Sequence, residues 1–461
     1  MENPSTPPQA DPCGRRLFRR KIYVQMLKRK ERSRGRTALL IEGPRQVGKT
    51  TIAREFARRE YRSCLFIDFA NCPSGVKEAF SNPADLGFLF AALLTLTGSG
   101  PLFERQSAVV FDNVQRFPKA RQAVKHLVAD GRYDFIETGC MVGVRGNVKD
   151  ILIPSEEEAL ELRPMDFEEF CWALGKEGTF PLMRRLFEKA RPFCATASGS
   201  ALYRGIAADF RLYLMLGGMP GAVGAYLRTG LESAERAKRG ILGLIMQDFD
   251  KSDPSGTASA VFKSIPAQIA GGRSRFSIPA AAGRISQGKA DRIMELLRES
   301  KAVNIAWRAC DPITGLQLLP NLDAFRLFVC DTGLFIILSL RDKPFSDNGL
   351  CQGLPGALSA GIKGACENAA VQMLAASGSR LFSYAFKAPG GHLHGIDFLL
   401  ARGGRICPIV VKGSARRASR PVEEFCLRLK ARAGQGYLLR DGDLARGNGL
   451  LALPLFMAQL I

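Results

Sequence analysis

The chain has 461 residues, room for roughly two to four domains, and its apolar and charged fractions (46% and 24%) are those of globular protein. The formal charge of +21, from 65 Lys+Arg against 44 Asp+Glu, leaves two readings open. One is a polyanionic partner such as nucleic acid, nucleotide or an anionic membrane surface; the other is a basic surface with no such role. The twelve cysteines form no C-x-x-C pair, which leaves metal knuckles and thioredoxin-like redox chemistry unsupported.

The N-terminal residues read as lacking a signal peptide, and residues 1–14 read as disordered. From Arg15 to Arg36 a basic arm holds eleven Lys/Arg against one acid, Glu31. Such a run is either a solvated face or a phosphate-backbone contact, and the second predicts steeply salt-dependent binding.

Thr37 to Glu42 reads as a buried strand. It leads into Gly43-Pro44-Arg45-Gln46-Val47-Gly48-Lys49-Thr50, a full G-x-x-x-x-G-K-[ST] match followed by Thr51 and a helix with Ile52, Ala53 and Phe56 at helical spacing. In that strand–loop–helix context, loop N–H groups and the helix N-terminus surround phosphates. Lys49 reaches the β and γ phosphates of ATP and the Thr50 hydroxyl ligates Mg2+.

A second strand runs from Cys64 to Phe69. The apolar stretch LGFLFAALLTLTG is too short to span a bilayer and reads as a buried helix. The third strand, SAVVFDN, ends on Asp112, placed to hold Mg2+ through water, with Asn113 next. The fourth, YDFIETG, ends on Thr138, either a γ-phosphate sensor or a turn residue before Gly139. If Thr138 faces the site, Glu137 faces away.

Residues 176–255 are rich in helix formers, with a break at GGMP, and AERAKRGILGLIMQDF carries apolar residues on one face. Residues 256–322 have helix–turn–helix proportions, with a third helix from Ala290 to Ser300 and a wing beginning at Ala302 to Trp307. Arg273, Arg275, Arg284, Lys289 and Arg308 give this winged helix a basic cast. It suits either the DNA major groove or a protein–protein joint. His392 and His394 sit beside glycines and read as a loop. Cys64, Cys330 and Cys407 read as reduced core cysteines of a cytoplasmic protein, with no membrane association.

The runs GPRQVGKTT, FDNVQRFPKARQAVKHLVADGRYDFIETG, NVKDILIPSEEE, LRPMDFEEFCWALG, GGMPGAV, FVCDTGL, ENAAVQMLAASG, GIDFLL and PIVVKG resemble a widespread prokaryotic family of AAA-like ATPases. The resemblance covers nearly the whole chain from about residue 20. It implies an α/β fold with a P-loop parallel-sheet core (37–175), a helical lid (176–255), the winged helix (256–322) and a C-terminal α/β restriction-nuclease-like domain (323–461), all preceded by the basic arm (1–36). An arginine contacting the γ-phosphate would lie in the lid or on a neighbouring subunit of a homo-oligomer.

The chain departs from that family at two points of chemistry. Asp-Glu is usual where it has Asp112-Asn113, and an amide cannot act as a base. Glu367, Asp397 and Lys412 match the nuclease-like positions, but Val410 stands where the family has a metal-binding Glu. The expectation is ATP–Mg2+ binding with slow hydrolysis, and a nuclease remnant whose charged groups pair with one another.

Overall fold

The computed structural model describes residues 17–81, 85–144, 151–272, 274–312, 316, 320–340, 364–387, 391, 393–411, 420–447 and 449–461. The N-terminal stretch 1–14, Arg273, His392 and Lys412 lie outside the described residues. The chain divides into two compact units, one of Arg19–Arg163 with Asp291–Ala302, the other of Pro164–Ala290 and Val303–Ile461 with the first residues to Phe18.

Five parallel strands build the first unit: β1 (Ala38–Glu42), β2 (Ser63–Asp68), β3 (Ser107–Asp112), β4 (Asp134–Gly139) and β5 (Glu157–Glu161), in the order β2-β3-β4-β1-β5. Strand β3 is buried at every position, as a strand covered on both faces must be, so its sequence is a nearly unbroken apolar run. Parallel neighbours need crossovers, supplied by α2 (Lys49–Glu60), α3 (Ser74–Ala79), α4 (Leu86–Thr97) and α5 (Pro118–Asp130). Leu65, Ile67, Val109, Phe111, Val124, Leu127 and Phe135 share one core cluster. The apolar stretch expected to be a buried helix is α4, but only one side of it is covered. Leu89, Phe90 and Leu93 are buried, whereas Phe88 is 64% exposed.

The basic arm is not free over its described part. Ile22–Ser33 forms α1, which precedes β1 and packs through Ile22, Met26, Arg29 and Ser33, a helical stripe. Arg29 is buried with its guanidinium on the Thr37 carbonyl and hydroxyl, both at 2.7 Å, and 3.5 Å from Glu158. Arg32 pairs with the same Glu158. Part of the arm's charge is therefore spent inside the unit, because an unpaired buried guanidinium would cost several kcal/mol.

The second unit opens with helices at Phe167–Ala173, Thr179–Glu188, Ala197–Leu216, Pro220–Thr229, Leu231–Ser252 and Thr257–Ala270. The sheet of this unit runs β12-β13-β11-β10-β9-β8-β6-β7, with β6 Val303–Ala309, β7 Pro320–Val329, β8 Leu381–Lys387, β9 Leu393–Arg402, β10 Arg405–Val411, β11 Gly436–Arg440, β12 Ala445–Gly447 and β13 Leu450–Pro454. Of the segment read as a winged helix, helices Thr257–Ala270 and Ile278–Ala282 and the β6–β7 hairpin lie in this unit, whereas Asp291–Ala302, which holds most of the helix Gln287–Glu299, belongs to the first unit. The wing, moreover, is not free-standing, since β6 also pairs in parallel with β8 and the hairpin closes one edge of the large sheet.

The helical segment is tied to that sheet by Asp331. This fully buried residue accepts hydrogen bonds from the Gly218 N–H at 2.5 Å, the Leu334 N–H at 3.0 Å and the Gln372 amide at 3.4 Å. It caps the helix Thr332–Ser339 while holding the GGMP turn. A Cβ on Gly217, which has φ +73°, would fall 2.1 Å from the Asp331 Oδ1. Glycine is required there both for the turn and for the approach of the carboxylate.

Candidate functional site

The carboxyl ends of β1, β2, β3 and β4 bring together the residues singled out in the sequence. The loop Gly43–Gly48 leaves β1 and enters α2 with Gly48 at φ +104°, a left-handed N-cap that exposes the first helical N–H groups. A Cβ on Gly43 would stand 2.3 Å from the Leu162 carbonyl oxygen and 3.2 Å from the Val47 Cγ1. The loop is thus packed too tightly for any side chain at its first position. Gln46 also takes a positive φ of 59°, which curls the loop further. The Lys49 ammonium donates to the Gly43 and Pro44 carbonyls at 2.9 and 2.8 Å, so it stands over the loop. Arg45 and Thr51 complete the loop and the first helical turn.

Asp112 is the hub. Thr50 Oγ1 donates to its Oδ1 and Oδ2 at 2.9 and 3.0 Å, and the Thr138 hydroxyl donates to Oδ1. The hydroxyl of the loop, the carboxylate of β3 and the hydroxyl of β4 therefore meet at one point. Burial raises the Asp112 pKa, with Asp68 adding to the rise, while the bonds from Thr138 and Thr50 pull it down. A divalent cation beside these oxygens would stabilise the charged form further. The hard-oxygen donor set of Thr50 and Asp112, under an ammonium and a glycine-lined helix N-terminus, fits a Mg2+–triphosphate.

Thr138 faces Asp112, and its neighbour Glu137 turns away, as strand alternation requires. Glu137 is fully buried next to Glu157 and Arg121. Burial pushes its pKa well up, with Glu157 adding to the rise and Arg121 opposing it. Arg121 grips Glu157 through two bonds of 2.7 and 2.8 Å. Glu137 lies beside this buried pair, on the face of β4 away from Asp112.

Asn113 sits at φ +59°, ψ +46°, the left-handed region that asparagine tolerates better than glutamate. Its amide nitrogen donates to the Asp68 Oδ1 at 2.9 Å and the Asp112 Oδ2 at 3.1 Å, and its carbonyl lies 3.5 Å from the Gln115 amide nitrogen.

Two residues at this site were not singled out in the sequence. Asp68 ends β2 in register with Asp112, and its place after an apolar run was the available signal. Arg20, on the arm, donates to the Val47 carbonyl at 3.2 Å and the Arg163 carbonyl at 2.5 Å, bracing the loop. Only its membership of a basic run was visible.

The nuclease-like positions lie in the second unit. Arg326 of β7 meets Glu367 at 2.5 Å, and Asp397 accepts the Val411 N–H at 2.8 Å. Burial alone would lower the Arg326 pKa, but Glu367 and, less strongly, Asp397 outweigh it. Val410 is fully buried in the apolar cluster that includes Val422 and Phe425. Among the described residues no group of three or more His, Cys, Asp or Glu is placed to hold a metal.

A family model for an AAA domain matches residues 35–171, which are thus a P-loop ATPase-type domain. A model for a domain of unknown function (DUF8612) matches residues 207–344 and runs across the boundaries expected at 255 and 322. No curated protein matches the chain. Among solved structures, the chain is similar to a Walker-type ATPase of Pyrococcus abyssi at 16% identity and TM-score 0.42, over 73% of this chain and 99% of that one. It is similar to Drosophila ORC bound to AT-rich DNA and Cdc6 at 11% identity and TM-score 0.23, over 43% and 82%. It is also similar to a STAND-type ATPase with a tetratricopeptide-repeat sensor from Pyrococcus horikoshii at 10% identity and TM-score 0.29, over 82% and 47%. No helix among the described residues is long and apolar enough to cross a membrane.

Proposed function

We propose that the protein binds ATP with Mg2+ at the Gly43–Thr51 loop, hydrolyses it slowly, and uses the bound state as a conformational switch. The observation that carries this reading is the convergence of the Thr50 and Thr138 hydroxyls on Asp112, with an amide at Asn113 beside it. Lys49 and the loop N–H groups hold the phosphates, Thr50 and Asp112 hold the cation, and Thr138 senses the γ-phosphate. Asn113 orders its neighbours but cannot take a proton. Isothermal calorimetry with ATP and Mg2+ should show heat of binding. A phosphate-release assay should show slow wild-type turnover that rises at least tenfold, or ~1.4 kcal/mol, in Asn113→Glu. No binding heat, or fast wild-type turnover indifferent to that change, overturns the reading.

A DNA contact is the second reading, favoured by Arg275 and Arg284, exposed on the winged-helix segment, and by Arg19, Lys28 and Arg34 on the arm. Burial of Arg20 and Arg29 in the fold reduces the charge available to it. Fluorescence anisotropy with duplex DNA should show binding at low salt that falls at least tenfold between roughly 50 and 200 mM. Binding indifferent to salt, or none at low salt, refutes it.

For the C-terminal unit we infer a nuclease-like fold that does not cut. The order helix Ala365–Ala376, β8, β9, β10, helix Arg420–Leu429, β11 supports the fold. The capture of Glu367 by Arg326 and the apolar setting of Val410 support the loss of cleavage.

A further inference from the structure

The question left by Asn113 is which group, if any, accepts the proton when a phosphate ester is hydrolysed at this site. Water attacking a γ-phosphorus must shed a proton, and the carboxylate position beside Asp112 holds an amide. Asp112 itself is engaged by two hydroxyls. Glu137 is buried beside the Arg121–Glu157 pair. Thr138 and Lys49 are donors. Of the other carboxylates that end strands, Glu42 of β1 pairs with Lys301 at 3.1 Å and Glu161 of β5 with Arg163 at 2.9 Å, which leaves Asp68, the strand-end neighbour of Asp112.

We propose that Asp68 is the general base of this site and that Asn113 is its positioning residue. This rests on the reading that the loop binds ATP. β2 lies directly beside β3, with Asp68 opposite Asp112 in register. Asn113 bridges the two carboxylates through a single nitrogen, at 2.9 Å to Asp68 and 3.1 Å to Asp112. Only an amide N–H can serve two carboxylates, which turns the Asn113 nitrogen toward the acids and its carbonyl toward Gln115, 3.5 Å away. Asp68 also accepts the Ala70 N–H at 2.9 Å and the Asn71 amide at 2.7 Å, so the carboxylate is fixed in place. Oδ1 takes two of these bonds and Oδ2 takes one, leaving Oδ2 an acceptor position for water.

The step balances without any further reactant. A water proton passes to the Asp68 carboxylate as the water oxygen bonds to phosphorus, and the bond from phosphorus to the leaving diphosphate oxygen breaks. Burial works to raise the Asp68 pKa, but the bonds from Asn113, Ala70 and Asn71 outweigh it and the net shift is downward.

The test uses full-length protein, with ATP affinity measured by calorimetry and hydrolysis by phosphate release. Asp68→Asn should bind ATP within about threefold of wild type and lose hydrolysis by about 100-fold, in line with removal of a general base. Adding Asn113→Glu to Asp68→Asn should restore turnover to at least the wild-type rate, since it supplies a carboxylate next to Asp112 in place of the one removed from β2. ATP binding by Asp68→Asn itself shows that the single variant is folded. Wild-type hydrolysis undiminished in Asp68→Asn, with ATP bound, overturns the proposal while leaving ATP binding intact. Wild type that binds ATP without any turnover overturns it as well. Absence of ATP binding by the wild type overturns the underlying reading of the loop.

Discussion

Lys49→Ala should weaken ATP binding by about 100-fold or more while leaving the thermal midpoint of the apo protein nearly unchanged. Lys49 is the ammonium in the loop, and in this structure it spends its donors on the Gly43 and Pro44 carbonyls. Gly43 and Pro44 are buried, but Lys49 itself is half-buried, so water can follow into its place and take over the two bonds at little cost. A triphosphate offers the same ammonium two charged oxygens. Charge-assisted bonds of that kind contribute roughly 1.5–3 kcal/mol each, and about 2.8 kcal/mol corresponds to a hundredfold in affinity. Calorimetry with ATP and Mg2+ reads the affinity, and differential scanning calorimetry reads the fold. An alanine variant that binds as tightly as wild type would remove the loop from the account of this protein.

Asp331→Ala should do the reverse, lowering stability strongly with ATP affinity unchanged. The carboxylate is fully buried and accepts two backbone N–H groups, from Gly218 and Leu334. Removing it strands both donors and deletes a helix cap. An unsatisfied buried donor costs about 1–3 kcal/mol and a lost cap about 1 kcal/mol. The expected loss is roughly 3–5 kcal/mol, or about 10 °C in the midpoint for a unit of this size. Asp331→Asn keeps one acceptor oxygen and should lose less than half as much. Equal midpoints for wild type and the alanine variant would show that GGMP and FVCDTGL are not joined as described.

What could be read from the sequence divides along a physical line. Strands β1, β3 and β4 were legible within a residue or two because a strand buried on both faces must be apolar throughout, and β2, although at the edge, was legible from its buried Leu65 and Ile67. The loop was legible because glycine, lysine and threonine at fixed spacing serve a backbone geometry that few other sequences satisfy. Strand β5 was not seen. Its sequence, EEALE, shows no apolar run because it is an edge strand with no fully buried position. The helix α1 was hidden by its charge, although Ile22 and Met26 mark its packed side. Arg29 and Arg20 look like solvated residues until the carbonyls they reach are known.

Asp68 shows the limit most clearly. An aspartate after FI is ordinary until the sheet order puts β2 next to β3, and strand order is a nonlocal property. The pairing of Asp331 with Gly218 crosses more than a hundred residues of chain, so both motifs could be quoted without their contact being visible. The segment read as a winged helix does hold helices followed by a hairpin. That its hairpin serves as the border of a larger sheet depends on β8, far downstream.

Arg20 has a practical implication for anyone dissecting the molecule. Its guanidinium hooks the Val47 carbonyl from a position well ahead of the first strand, so the phosphate cradle is moored to a piece of chain outside the P-loop motif itself. A minimal nucleotide-binding fragment trimmed to start at Thr37 would keep the whole signature and lose its mooring. Cutting upstream of Leu17 would preserve it.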